Sequence, residues 1–272
     1  MPINSKLKYT PKSVSLAEQL CNVKEQIRTT PSNVSLRVYL SQLLMVTGQW
    51  ARALQQLQTA AQLEAKVIPM AQTYRELIQA EIFREEVFSG NKIPMTFGDD
   101  SGAIDLQIQS LLQRSQGNHI SADGLQNKAY DQALTKPSYI NNQATQWLAD
   151  ADSRLGPTCE VFINGGYYWL PFAKIQTLEL EAPQDLRDLV WTPAKITLLD
   201  DTQKLAFLPS RYPFSYQCDN DKLALSALTE WQQLSPQAWA GTGQKTLVSE
   251  QQEYPLLTVT SVSESATSSV AV

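Results

Sequence analysis

Apolar residues in the first half of the chain recur every three or four positions, the spacing of one face of an α-helix. Leu16, Leu20, Val23 and Ile27 form such a stripe behind Ser15-Leu-Ala-Glu18, a capping-box pattern, and Pro31 interrupts it. A second stripe, Leu36, Tyr39, Leu40, Leu43 and Leu44, follows a Ser32 or Asn33 cap and stops at Gly48, which can take the left-handed conformation that closes a helix. A third runs from Trp50 through Ala53, Leu54, Leu57, Ala60 and Ala61 to Leu63, with alanines small enough to let two helices approach closely. A long helix from Met70 to Phe88, with Met70, Tyr74, Leu77, Ile78 and Ile82 inward, then gives way to a loop through Gly90, Pro94 and Gly98.

The pattern repeats. Gly48, Ala53 and Ala60 match Gly117, Ala122 and Ala129 at a constant offset of 69 (117 − 48, 122 − 53, 129 − 60), and Leu43 matches Leu112. That is two periods of about 34, the length of a tetratricopeptide repeat, with Pro69 and Pro137 closing the earlier and later hairpins. The repeat between them is degenerate. A plain helical bundle with alanine contacts also produces such matches, and both readings give a helix array.

From Cys159 the period changes to strands. Cys159 to Ile163 and Tyr167 to Phe172 flank Asn164-Gly-Gly166, where Asn-Gly supplies the positive φ angles of a type I′ hairpin turn. Further strands are expected at Lys174 to Glu181, Ala194 to Leu199, Ala206 to Leu208 and Leu256 to Val262, while Asp219 to Trp231 fits a helix or a strand. The fold class is α+β: a helical, tetratricopeptide-like domain over 1–140, a mainly antiparallel α+β domain over 141–258, and a disordered tail over 259–272. Pro, Ser and Asn accumulate in 136–146 and mark the boundary.

Composition narrows the function classes. The 272 residues carry a formal charge of −5, which argues against nucleic acid or anionic lipid as partner. No segment approaches the length of a membrane span, and Met1 to Thr10 lacks the apolar stretch of a signal peptide, so the expected address is the cytoplasm. Cys21, Cys159 and Cys218 are odd in number and lack a CxxC pair, so they read as small buried apolar residues rather than a disulfide or zinc framework.

The candidate chemistry is thin. If the segment is extended, Asp150, Asp152 and Arg154 share a face, with carboxylates about 6.5 to 7 Å apart, a spacing compatible with acid and base work. The same residues suit an arginine-braced turn before Gly156-Pro157, the favoured reading, and Arg187-Asp188 has the same ambiguity. No further ligands point to a metal, and no cofactor is expected. His119, the one histidine, lies in a predicted turn and has no Gly-x-Ser-x-Gly elbow to serve. Gly241-Thr-Gly-Gln-Lys-Thr246 departs from a phosphate loop and reads as an ordinary loop. Trp147, Trp169, Trp191 and Trp231 fit a groove or, more commonly, a core.

Ala149-Asp-Ala-Asp-Ser-Arg-Leu-Gly-Pro157, Asp185-Leu-Arg-Asp-Leu-Val-Trp191, Pro209-Ser-Arg-Tyr-Pro213, Thr229-Glu-Trp231 and Gly241-Thr-Gly-Gln-Lys245 together resemble the ImpE family, also called TagJ, over residues 30 to 257. The sequence departs from that family in its tail and at Lys245, where arginine is expected and where a lysine weakens any bidentate contact. The resemblance implies a non-enzymatic adaptor of type VI secretion. It would bind the N-terminal helix of the small sheath subunit, TssB, and connect to sheath recycling by the ATPase ClpV. Helix-groove logic places docking at Tyr39, Leu43, Tyr74 and Leu77. The motif residues Asp150, Asp152, Arg154, Gly156, Pro157, Arg187, Asp188, Trp191, Arg211, Tyr212, Glu230 and Trp231 then hold the fold. The alternatives are an enzyme using Asp150 and Asp152, with Arg154 and Arg187 on an anionic substrate, or a tetratricopeptide scaffold outside secretion.

Overall fold

A computed structural model describes residues 14–97 and 102–265. The expectations for Met1 to Thr10, for Gly98 and for the tail from 266 onward lie outside the described residues. Helix α1 (Leu16–Thr29) starts at Ser15, whose hydroxyl accepts the Glu18 amide at 3.2 Å. Helix α2 (Val34–Val46) takes Asn33 as its cap, the Oδ1 accepting from the Leu36 amide at 3.1 Å. Helices α3 (Trp50–Leu63) and α4 (Ile68–Phe88) follow, then a short strand β1 (Met95–Thr96) and the hairpin of α5 (Gly102–Ser115) and α6 (His119–Gln132).

Three of these helices end alike. Gly48, Gly90 and Gly117 have φ of +66°, +80° and +81°, and the next residue donates to the carbonyl five positions back: Gln49 to Leu44 at 2.8 Å, Asn91 to Glu86 at 2.9 Å and Asn118 to Gln113 at 2.9 Å. This is the Schellman closure. Ala53, Ala60, Ala122 and Ala129 are fully buried at the crossings of α2 with α3 and of α5 with α6, so the 69-residue recurrence is a recurrence of structure. The array is tetratricopeptide-like with a degenerate centre, because after Gly90 the chain gives β1 instead of a partner helix. On α4, Ile82 is exposed rather than inward; three-residue steps from Ile78 carry the buried stripe through Glu81 and Arg84 instead.

The second half supplies β2 (Ser138–Ile140), β3 (Gln143–Thr145), β4 (Ala149–Asp150), β5 (Thr158–Ile163), β6 (Gly166–Pro171), β7 (Ile175–Leu180), β8 (Trp191–Leu198) and β9 (Gln203–Pro209). A short helix α7 (Asp221–Ala224) precedes β10 (Thr229–Ser235), β11 (Ala238–Gly243), β12 (Thr246–Val248), β13 (Glu253–Pro255) and β14 (Ser261–Ser263). The large sheet runs β1-β6-β5-β9-β8-β7-β14-β2-β3, antiparallel except where β1 meets β6. The β5–β6 hairpin turns through Asn164 (φ 49°) and Gly165 (φ 75°), as the Asn-Gly signal predicts.

Several segments depart from the sequence reading. The boundary 136–146 contains the β2–β3 hairpin, turned by Asn141 and Asn142 at positive φ, so the sheet begins before residue 141. Residues 261–263, assigned to a disordered tail, form β14 between β7 and β2 because Val262 has a buried slot facing Leu178 and Ile140. Leu256–Thr258 is a 3-10 turn rather than the start of a strand, and Asp219 to Trp231 divides into α7 and the start of β10. Gly241 to Thr246 is not a loop but the end of β11 and the start of β12. Cys21 and Cys218 are exposed, Cys21 lying one position off the α1 stripe, and only Cys159 is buried.

Alternation along the strands sends side chains to two cores. On one face Phe162, Trp169 and Trp191 pack with Leu43, Tyr74, Ile78 and Phe88 of the helices. On the other, Val161, Leu178, Ile196 and Leu208 pack with Leu247 of the small β13-β12-β4 sheet and with Leu256. The helical and strand halves therefore share one core along α4.

Candidate functional site

The chain does not run extended through Asp150, Asp152 and Arg154; after β4 it turns. Asp152 Oδ1 accepts the Arg154 amide and Nε, both at 2.9 Å, while Oδ2 accepts Arg154 Nη2 at 2.6 Å and the Gly241 amide at 3.0 Å. Asp150 Oδ1 accepts the Asp152 amide and the Tyr212 hydroxyl, both at 2.9 Å. Gly156 (φ 51°) closes the turn against the Tyr130 ring, and the Pro157 carbonyl accepts the Phe172 amide at 3.0 Å.

The second motif string repeats the device. Asp185 Oδ1 accepts the Arg187 amide at 2.8 Å and its Nε at 2.9 Å, and Nη2 closes on Oδ2. Asp188 accepts the amides of Gln184 and Asp185. Each guanidinium lies over a ring of α4: Arg154 is 4.9 Å from the Phe88 centroid and Arg187 is 4.5 Å from that of Tyr74. Those rings are 14 residues, or about 21 Å, apart on the helix. Two Asp-x-Arg turns thus grip α4 at its last residue, Phe88, and at Tyr74 in its N-terminal half. Replacing Asp152→Asn keeps an acceptor for the backbone but removes the charge that Arg154 grips; a loss of about 1–3 kcal/mol in urea unfolding is expected. Unchanged stability would contradict the bracing role.

Between the clamps runs a buried ionic chain that the sequence reading missed. Arg84, fully buried, holds Glu81 at 2.8 Å and Glu160 at 2.6 Å, and its Nη2 also reaches the Arg211 carbonyl at 3.1 Å. Lys245 Nζ bridges Glu160 at 2.7 Å and Asp150 at 2.5 Å, two carboxylates that a compact ammonium reaches from one point. The Tyr167 hydroxyl donates to Glu160 at 2.6 Å, and Trp191 Nε1 donates to Glu81 at 3.0 Å. Arg211 donates to the Val46 carbonyl at 2.7 Å and the Met45 carbonyl at 3.1 Å, capping the end of α2. The one available signal was Glu81-x-x-Arg84 lying on an otherwise apolar helix stripe.

These groups perturb one another. Burial pushes Asp150 up to about 6, Lys245 opposing and Asp152 adding to it. Burial acts the same way on Glu160, but Arg84 and Lys245 overcome it and hold that carboxyl well below the usual range. Glu85 rises to about 7, first by burial and then by the neighbouring Glu81. A raised folded pKa favours folding below the unfolded value and loses that as pH climbs through the folded one; a lowered pKa does the reverse. Asp150 and Glu85 therefore lose stabilisation as pH rises toward neutrality, whereas Glu160 keeps its own above the ordinary carboxylate range and loses it progressively as pH falls below that range. Thermal unfolding should show greater stability near about pH 5 than near about pH 7.5, and Asp150→Asn should shrink the difference. Lower stability at the acid end of that window would contradict the assignment.

Of the groove candidates, Leu43, Tyr74 and Leu77 are buried, and Tyr74 packs against the Trp191 and Phe207 rings of the sheet. Tyr39 is partly buried and donates to Gln19 Oε1 at 2.8 Å. Trp169 and Trp191 are core residues; Trp231 is half-buried against the Tyr212 ring, while Trp147 is half-buried and Glu230 exposed. His119 is exposed at the start of α6. Among the described residues no group of three or more His, Cys, Asp or Glu side chains is placed to hold a metal ion, and no helix is long and apolar enough to cross a membrane.

The family model described as ImpE protein matches residues 142–263. The chain is 43% identical over 216 residues to the type VI secretion system accessory component TagJ of Pseudomonas aeruginosa, an alignment spanning 79% of this chain and 77% of that one. It is also similar in fold to the crystal structure of protein VPA1032 from Vibrio parahaemolyticus, with a TM-score of 0.83 over 91% of this chain and 93% of that one. At 23% identity that likeness speaks for the fold alone.

Proposed function

The chain belongs to the ImpE family, and from that membership we propose that it is a non-enzymatic accessory protein of bacterial type VI secretion, working in the cytoplasm. It docks the amphipathic N-terminal helix of the small sheath subunit TssB, and through the sheath it is linked to recycling by ClpV. The identity with a protein named as an accessory component of that system carries this reading. The site geometry supports it from the other side. Asp150 and Asp152, the residues an enzyme would need, are buried, and their oxygens are taken by Tyr212, Lys245, Arg154 and backbone amides. Both carboxylates are buried and engaged, which suits a pair that orients backbone.

The test is co-purification of the full chain with the small sheath subunit from the same organism, intact or lacking its N-terminal helix. Capture of the intact subunit and not of the truncated one is expected. Equal capture of both, or of neither, would overturn the helix-docking role.

A further inference from the structure

The helix-facing side of the large sheet is not fully covered. Strands β5 and β9 are neighbours that share a single paired position, Phe162 with Phe207, and there α4 and the two strands leave a cleft of about 250 Å³. Leu77, Phe162 and Phe207 form its apolar lining. Leu205, 81% exposed, stands at one lip, and Thr73 and Glu76 of α4 form the other.

The chemistry of this cleft selects its occupant. Small-molecule sites commonly measure about 300–1,000 Å³ and converge several polar groups on the ligand. This cleft is smaller, and around its apolar floor it carries Thr73, Asn164 and one charged group, Glu76, so it suits a large apolar side chain with polar neighbours rather than a cofactor. Lys195, paired across the strands with Leu205, is itself matched by Glu179 on β7, opposite charges in adjacent register positions. Glu76 makes no ion pair among the described residues, which leaves a carboxylate at the lip for a cation to meet. The strands beneath are internal to the nine-stranded order, with β6 and β8 on their far sides, so no free edge is offered for strand addition. An occupant must satisfy its own backbone, as a helix does.

We propose that the cleft between α4 and β9 receives an amphipathic partner helix, an apolar anchor of that helix seating against Leu77, Phe162 and Phe207 and a neighbouring lysine or arginine pairing with Glu76. This rests on the adaptor reading and locates its docking surface. Leu205 extends the apolar contact beyond the cleft, so one exposed side chain joins a buried anchor site, the arrangement of an interaction hot spot.

The experiment titrates the full chain against a fluorescent peptide copying the N-terminal helix of the small sheath subunit and reads anisotropy. Leu205→Glu and Glu76→Lys, both at exposed positions, are compared with the parent after circular dichroism shows them folded. Each should weaken binding by about tenfold or more. A peptide with its basic residues changed to glutamate should recover affinity for Glu76→Lys. Parent binding that both variants retain would overturn the location while leaving the adaptor reading standing. A parent that binds no peptide would remove both. A dimer in sedimentation that Leu205→Glu converts to monomer would make the cleft an interface between copies of this chain, and would also overturn the proposal.

Discussion

Arg84→Met should cost about 3–5 kcal/mol of folding free energy, one of the two largest effects expected of any single change in this chain. The guanidinium has no exposed surface and makes ion pairs with Glu81 and Glu160, while Nη2 also donates to the Arg211 carbonyl. Methionine keeps much of the volume but leaves Glu81 and Glu160 buried with less compensation. Lys245 still faces Glu160, so the loss falls short of an isolated buried charge. Because Glu81 and Arg84 belong to α4 while Glu160 belongs to β5, the damage lies between the two halves of the molecule. Urea unfolding measures it; a loss below about 1 kcal/mol would mean that the network orders the interface without stabilising it.

Trp191→Ala should cost a similar amount, about 3–5 kcal/mol, by a different route. Its ring is fully buried, lies 5.8 Å from the Trp50 ring and 6.2 Å from that of Tyr74, and its Nε1 donates to Glu81. Truncation opens a cavity and deprives a buried carboxylate of its donor. Since Trp50 and Tyr74 are helical and Trp191 begins β8, helix loss followed by circular dichroism should coincide with sheet loss followed by tryptophan fluorescence, in parent and variant alike. Two separated transitions would show that the helical and strand halves fold independently.

The helices were legible because the physics that forms them is local. Ser15, Asn33, Gly48 and Gly117 cap where short-range hydrogen bonding requires, and Ala53 and Ala60 announced a close crossing at the same spacing as Ala122 and Ala129. The Asn164-Gly165 hairpin was legible for the same reason. Strands set by distant partners were not. β14 owes its place to β7 and β2, the latter more than a hundred residues earlier, and nothing in Ser261-Val-Ser263 shows that. Hydrophobic periodicity was silent about Arg84 and Lys245, because a buried charge looks like a surface charge until its partner is known. Tyr74 shows the same limit: a helical position that looks free in sequence is covered by Trp191 and Phe207 of the sheet, built from the other half of the chain.

The most direct measurement of the adaptor role is calorimetric titration of the purified protein with the peptide of the small sheath subunit's N-terminal helix, beside a scrambled control, at several temperatures. Saturable binding of the native peptide alone, with a negative heat-capacity change from burial of its apolar face, is the predicted result. No heat of binding from a protein shown to be folded, or equal binding of the scrambled peptide, would contradict it.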